Sequence, residues 1–129
     1  MKRTGILNRH LSAATASLGH TDEVVIADAG LPIPDGPTVV DLSVVAGTPC
    51  FVDVLDALLD ELVIEQATAA HEVRHRNPDA ACALDDRFRT LDLIPHEALK
   101  ARTENARLIV RTGEATPYAN VILRCGVAF

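Results

Sequence analysis

Four places in the sequence carry side chains that could bind a small polar ligand and move a proton. His20 precedes an apolar run at 24–27, and Asp28 follows that run directly. His96 lies further along the chain, and Tyr118-Ala119-Asn120 precedes the last apolar run. A sugar site needs an aromatic face, amide and carboxylate groups for the hydroxyls, and a side chain that titrates near neutrality. These residue types together predict a sugar site with acid–base chemistry.

Each of these residues also has a purely structural interpretation. His20 could occupy a helix-to-strand turn, and Asp28 could accept hydrogen bonds from amides of the Gly-Leu-Pro loop that follows it. His96 could face solvent, and Tyr118 could pack at the surface with its hydroxyl in water. The functional interpretation therefore depends on the combination of residues rather than on any one of them.

A second pattern, His71-Glu72-Val73-Arg74-His75, matches the HExxH motif of zinc proteases, in which two histidines share one helix face. The alternative is a solvated helix end that happens to carry two histidines. Asn77-Pro78 favours this alternative, because a proline at 78 ends a helix two residues after His75. No residue stands out as a third ligand among the acidic side chains nearby, and we expect no metal site here. Those acidic residues are Asp79, Asp85 and Asp86.

The composition excludes several classes of protein. The chain has 129 residues, of which 48% are hydrophobic and 3% aromatic, and its net charge is −6. This length suits one domain with an aliphatic core, and the acidic balance argues against nucleic-acid binding. No apolar run is long enough to cross a membrane, and residues 1–10 do not resemble a secretory signal. With three cysteines (Cys50, Cys82, Cys125) in no CxxC spacing, we expect a soluble cytoplasmic protein.

The hydrophobic periodicity predicts alternating strands and helices. The segment 23–28 is predicted to be a strand buried on both faces, because its interior is an unbroken apolar run, and apolar residues between 51 and 62 recur at helical spacing. The segment 62–70 is ambiguous, and we favour a strand. The alternation predicts a single compact α/β domain over 1–129, with a largely parallel sheet flanked by helices. The other predicted helices are 11–18, 78–91 and 95–106, and the other predicted strands are 38–45, 107–112 and 120–127.

Three motifs make the sequence resemble the D-ribose pyranase family of sugar mutarotases. They are LGHTD at 18–22, DAGLPIP at 28–34 and GEATPYAN at 113–120. The likeness covers essentially the whole chain. The sibling L-fucose mutarotases are similar near His20 and near the Pro-Tyr pair, but the 28–34 loop is more like the ribose branch.

The resemblance implies a function and a set of site residues. It implies an isomerase that interconverts the β-pyranose and β-furanose forms of D-ribose, supplies a ribokinase, uses no metal or other cofactor, and assembles into a ring-shaped oligomer, a decamer in the ribose enzymes. A non-catalytic sugar-binding module and a mutarotase for another sugar such as L-fucose are the alternatives. His20 is implied as the catalytic acid/base, and the implied substrate-binding residues are Asp28, His96, Tyr118, Ala119 and Asn120.

The distance between His20 and Asp28 raises a question about this site. An extended strand from Glu23 to Asp28 spans about 17 Å at roughly 3.3 Å per residue, which is far longer than one sugar. Either the turn at 19–22 folds back along the strand, or the two residues of one chain serve different pockets. The second option predicts a site that a neighbouring protomer completes.

Overall fold

The computed structural model describes residues 1–129, and their strands form one six-stranded sheet. The strands are β1 (Glu23–Ala27), β2 (Thr38–Asp41), β3 (Ile64–Ala70), β4 (Asp92–Ile94), β5 (Leu108–Arg111) and β6 (Val121–Cys125). Their order across the sheet is β2-β5-β1-β6-β3-β4. The helices are α1 (Arg9–Ala16), α2 (Phe51–Leu59), α3 (Val73–Arg76), α4 (Pro78–Arg87) and α5 (His96–Arg102), followed by a 3-10 turn at Thr103–Asn105. None of these helices combines the length and apolar character needed to cross a membrane.

Strand β1 is the centre of the core, as its unbroken apolar pattern predicts. Val24 and Ile26 pack in a cluster with residues of α1, α2 and α4 on one face of the sheet. Val25 and Ala27 pack in a second cluster with Leu99 of α5 on the other face. Because all four side chains are fully buried, the strand has no polar face to show in the sequence.

The predicted elements exist, but several of their ends differ. Helix α1 begins earlier than predicted, because the Asn8 side chain accepts hydrogen bonds from the main-chain N–H groups of His10 and Leu11 and so caps it. Strand β2 ends at Asp41 rather than at 45, because the Asp41 carboxylate accepts hydrogen bonds from the Ser43 N–H and hydroxyl in a local turn. The ambiguous segment is strand β3. The short elements α3 and β4 were not predicted.

The sheet is mixed, which corrects the prediction of a largely parallel sheet. Strands β1, β2, β3, β4 and β5 all run in one direction, while β6 runs antiparallel to its neighbours β1 and β3. The reason is the short connection from β5 to β6 through residues 112–120, which contains no helix. A parallel return needs a crossover of a dozen residues or more, so the chain re-enters the sheet in the opposite direction.

In this topology the strand ends form two distinct rims of the sheet, here called edges, which are not its outermost strands β2 and β4. The first, here the carboxyl edge, is where β1–β5 end and β6 begins, and it carries Asp28, His96 and Tyr118. The second, the amino edge, is where β1–β5 begin and β6 ends, and it carries His20 and the C-terminus. Ligand sites of α/β sheets lie beyond the carboxyl ends of the strands, so the carboxyl edge is the expected place for one.

Candidate active site

A cavity of about 360 Å³ lies at the carboxyl edge. Its walls are the loop after β1, the first residue of α5 and the loop between β5 and β6, so three segments that are distant in the sequence converge there. This volume falls in the range of small-molecule sites, which is about 300–1,000 Å³. The lining residues are Asp28, Ala29, Gly30, Leu31, Pro32, His96, Glu114, Ala115, Thr116, Pro117 and Tyr118.

Asp28 is the buried carboxylate of this cavity. One of its oxygens, Oδ1, accepts a hydrogen bond of 2.9 Å from the Gly30 N–H, and the other, Oδ2, accepts one of 2.9 Å from Asn120 Nδ2. The carbonyl of Ala29 accepts hydrogen bonds from the Arg111 guanidinium at 2.9 and 3.1 Å, which anchors the loop. Each carboxylate oxygen keeps further acceptor capacity, so Asp28 can accept hydrogen bonds from sugar hydroxyls without losing these contacts.

Ala119 and Asn120 are not among the residues that line the cavity. Both are fully buried, and Asn120 Oδ1 accepts a hydrogen bond of 2.8 Å from the Asp28 N–H. Residues 118–120 are not a continuous extended segment, because Tyr118 has a φ of 60°. Asn120 therefore acts on the cavity through Asp28.

Tyr118 and His96 form the aromatic part of the cavity wall. Their rings meet edge to face, with centroids 5.0 Å apart and planes at 84°. This geometry is a favourable arrangement for two aromatic rings. The left-handed backbone of Tyr118 is uncommon for a residue with a bulky side chain, and such conformations persist only where the surroundings hold them.

His96 is the first residue of α5, as the proline before it predicts. Its main-chain N–H donates to the two carboxylate oxygens of Glu72, at 2.9 and 3.2 Å. Its Nδ1 is buried and makes no hydrogen bond within the chain. Since buried polar atoms are almost always paired, this unpartnered nitrogen is an exception among the buried polar atoms of the chain.

Glu114 is a site residue that the sequence reasoning missed. Its Oε1 accepts a hydrogen bond of 3.0 Å from the Phe51 N–H at the start of α2, and its carbonyl accepts one of 2.9 Å from the Ala29 N–H. Only glycine fits before it, because a Cβ on Gly113 would lie 2.3 Å from the carbonyl oxygen of Thr48. The sequence contained a signal for this residue, since Glu114 is the only carboxylate in the motif GEATPYAN.

The HExxH pattern does not form the arrangement of a zinc protease. Helix α3 begins at Val73, so His71 lies in the turn before it, and its Nδ1 is 2.9 Å from Glu72 Oε1. Glu72 is occupied in capping α5 through His96. No group of three or more His, Cys, Asp or Glu side chains in the chain has the arrangement of metal ligands.

His20 lies at the amino edge, away from the cavity. Its Nε2 is 3.1 Å from Glu65 Oε2, and Arg124 Nε is 3.1 Å from the other oxygen of the same carboxylate. The turn at 19–22 does not fold back along β1, because the Thr21 N–H donates to the Cys125 carbonyl and the Cys125 N–H donates to the Asp22 carbonyl. The extended segment from Glu23 to Asp28, about 17 Å long at roughly 3.3 Å per residue, therefore separates His20 from Asp28 within one chain.

The fold and the cavity define an α/β protein with a small, partly polar cavity at the carboxyl ends of its strands. The chain matches the model of the RbsD / FucU transport protein family over residues 1–128, and it belongs to that family. The resemblance to D-ribose pyranases and their fucose relatives is thereby confirmed.

Relatives of known name are similar over the full length of the chain. The D-ribose pyranase 2 of Streptomyces griseus is 65% identical over 129 residues, and the D-ribose pyranase 1 of Rubrobacter xylanophilus is 59% identical; both alignments cover 100% of each chain. Among solved structures, Bacillus subtilis RbsD complexed with D-ribose is 46% identical with a TM-score of 0.95, covering 100% of both chains. The fucose mutarotase from Streptococcus pneumoniae, in complex with L-fucose, has a TM-score of 0.85 over 100% of both chains but 23% identity, which supports the fold alone.

Proposed function

We propose that the protein is a D-ribose pyranase, an isomerase that interconverts the β-pyranose and β-furanose forms of D-ribose. The observation that carries this proposal is that two motifs shared with that family, DAGLPIP and GEATPYAN, meet in one cavity of about 360 Å³ at the carboxyl edge. The full-length similarity to D-ribose pyranases supports the same substrate. The furanose product is the form that a ribokinase consumes, and the family resemblance supports a cytoplasmic enzyme that supplies it.

The reaction needs two proton transfers for ring opening and two more for ring closure. A base takes the proton of the anomeric hydroxyl while an acid protonates the ring oxygen, and the bond from C1 to the ring oxygen breaks to give the open aldehyde. The chain then turns, a different hydroxyl attacks C1 and loses its proton, and the carbonyl oxygen gains one. General acid–base catalysis of this kind contributes roughly 10²–10⁴-fold.

In this proposal His20 is the acid/base, since an imidazole exchanges protons readily near neutral pH. Asp28 and His96 bind the sugar hydroxyls, and the Tyr118 ring covers a C–H face of the sugar. Asn120 and Ala119 serve the same site from behind, Asn120 by holding the Asp28 carboxylate. Glu65 orients the His20 imidazole through the contact at Nε2.

The position of His20 requires that a neighbouring protomer complete each site. The amino edge of one protomer then meets the carboxyl edge of the next, and a contact between two different surfaces generates a ring when its rotation closes. Exposed apolar side chains at both edges support such a contact. Val44 and Val45 lie in the loop after β2 at the carboxyl edge, while Val63 and Val127 lie at the amino edge. We propose a ring-shaped homo-oligomer, a decamer by its resemblance to the family.

Exchange between pyranose and furanose signals in saturation-transfer NMR tests the proposed activity. We expect the protein to accelerate this exchange for D-ribose, more than for L-fucose, and to do so equally with and without a chelator. Ribose that binds and shifts its signals without faster exchange would instead identify a sugar-binding module. Exchange that is lost on chelation would overturn the cofactor-free mechanism.

A further inference from the structure

Asn77, at the end of the HExxH-like run, is a buried side chain that joins helix α4 to the cavity loop between β5 and β6. Its Oδ1 accepts a hydrogen bond of 3.2 Å from the Ala80 N–H and so caps α4. Its Nδ2 donates to Thr116 Oγ1 at 2.9 Å and to the Pro117 carbonyl at 2.8 Å. A side-chain amide has two N–H donors, and both are used on the loop that carries Tyr118.

This loop needs such a support. Pro117 directly precedes Tyr118, whose left-handed backbone persists only if the neighbouring peptide groups are held. Thr116 is held from the other side, because Glu114 Oε2 accepts hydrogen bonds from its hydroxyl at 3.0 Å and its N–H at 3.3 Å. The Tyr118 ring is thereby directed at His96.

Glu72, at the other end of α3, holds the backbone of His96, which carries the second ring of the His96–Tyr118 pair. Its carboxylate caps the His96 N–H and so fixes the first residue of α5, next to a ring whose Nδ1 is buried without a partner. Helix α3 itself is anchored by Val73, which is fully buried. Main-chain hydrogen bonds connect its two ends, from the Arg76 N–H to the Glu72 carbonyl and from the Asn77 N–H to the Val73 carbonyl.

We propose that Glu72 and Asn77 are positioning residues of the sugar site, and that α3 sets the distance between them so that the His96 and Tyr118 rings keep their edge-to-face contact. The role of these residues in sugar binding rests on the proposed function. Their role in positioning the two rings does not depend on it. The HExxH-like run thus serves the cavity through hydrogen bonds to loop and helix termini.

The two hydrogen bonds from Asn77 Nδ2 to residues 116 and 117 are here called the tether. Asn77→Asp removes the tether but keeps the cap of α4. A carboxylate still accepts the Ala80 N–H, but it has no N–H to donate and it faces the Pro117 carbonyl. Asn8→Asp is the matched control, because Asn8 caps α1 in the same way and its side chain makes no hydrogen bond to the cavity loops. Both changes add one negative charge at a helix N-terminus.

The sequence offers a direct readout, because Tyr118 is the only tyrosine and tryptophan is absent. We expect Asn77→Asp to change the near-UV circular dichroism and the ring NMR signals of Tyr118, and to raise the KM for ribose by about five- to tenfold, as the loss of one or two hydrogen bonds implies. Asn8→Asp should change neither. A folded Asn77→Asp protein with wild-type tyrosine signals would overturn the proposal for Asn77, whatever the activity.

Three further variants keep the test decisive. If Asn77→Asp does not fold, Thr116→Val removes one acceptor of the tether at an exposed position, and we expect the same change in the tyrosine signals. At the other end of α3, Glu72→Ala should weaken the nuclear Overhauser effect between the His96 and Tyr118 rings. Glu72→Gln, which keeps an acceptor oxygen, should restore it.

Glu97→Ala is the control for Glu72, because Glu97 is an exposed carboxylate in the same first turn of α5 and pairs with Lys100. It should leave the contact between the rings unchanged. An unchanged effect in Glu72→Ala, or an equal loss in Glu97→Ala, would show that Glu72 does not position His96. If ribose exchange is absent in the wild type but the ring contacts respond as expected, the proposed function fails while the positioning role stands.

Discussion

Asp28 and Asn120, 92 residues apart in the sequence, form a closed pair of hydrogen bonds at the carboxyl edge. Asn120 Oδ1 accepts the Asp28 N–H at 2.8 Å, and Asn120 Nδ2 donates to Asp28 Oδ2 at 2.9 Å. Both residues are buried. The pair links the end of β1 to the start of β6, so the carboxylate that we assign to sugar binding is held by the two central strands of the sheet.

The first prediction concerns this pair. Asn120→Ala leaves the Asp28 N–H without its partner in a buried place, which costs about 1–3 kcal/mol of the free energy of unfolding. We also expect weaker ribose binding, because the carboxylate loses one of its two fixed contacts. Urea unfolding and ribose titration measure the two effects. Asn105→Ala, at an exposed position in the 3-10 turn, is the control, and an equal loss there would contradict the explanation.

The second prediction concerns His20, whose side chain is about half exposed and is hydrogen-bonded to Glu65. His20→Ala should leave the unfolding midpoint near that of the wild type and reduce ribose exchange by roughly 10²–10⁴-fold, the usual contribution of an acid/base group. His71→Ala removes another half-exposed histidine, one beside Glu72, and should leave exchange nearly unchanged. Wild-type exchange in His20→Ala would end its assignment and make His96 the next residue to test.

The third prediction follows from the separation of His20 and Asp28 along β1. The His20→Ala protein and the Asp28→Ala protein should each be inactive. When equal amounts are mixed and reassembled, random pairing should give both groups to about a quarter of the interfaces and restore activity there. Dissociation in denaturant, dilution and the NMR exchange assay make the measurement. Reassembled mixtures that stay inactive while wild-type protein recovers would show that both residues serve a site within one chain.

The fourth prediction concerns pH and the ion pair between α2 and α4. The Arg87 guanidinium, hydrogen-bonded to Asp56, lowers the pKa of that carboxyl. A lowered pKa stabilises the fold above the unfolded pKa of about 3.9, and this stability is lost as the pH falls through the folded value. Asp56 is half exposed, so the pair is worth at most about 1 kcal/mol.

Asp56→Asn should therefore reduce the free energy of unfolding at pH 7 but not at a pH well below 4. Unfolding by urea at the two pH values measures the difference. Asp35→Asn, at an exposed position outside the helices, should have little effect at either pH. A cost of Asp56→Asn that stays the same at low pH would show that packing rather than charge accounts for it.

Local patterns in the sequence were enough to predict an α/β domain with helices flanking a sheet. The burial of β1 on both faces follows from its unbroken apolar run, and α2 follows from its helical spacing, because each pattern reports burial within a few neighbouring residues. The motifs around Asp28 and Tyr118 likewise identified loops at strand ends. The reversed direction of β6 was within reach too, since residues 112–120 are too few for a parallel crossover.

Only the tertiary structure decided which distant groups meet. The contacts of Glu72 with His96, and of Asn77 with Thr116, join residues 24 and 39 positions apart, and no periodicity within one element reports them. They exist because the end of β3 lies between the start of β6 and the end of β4, so that α3, which follows β3, contacts the segments next to both strands. The same strand order sends His20 to the amino edge and Asp28 to the carboxyl edge, because a strand with both faces in the core must separate the groups at its two ends.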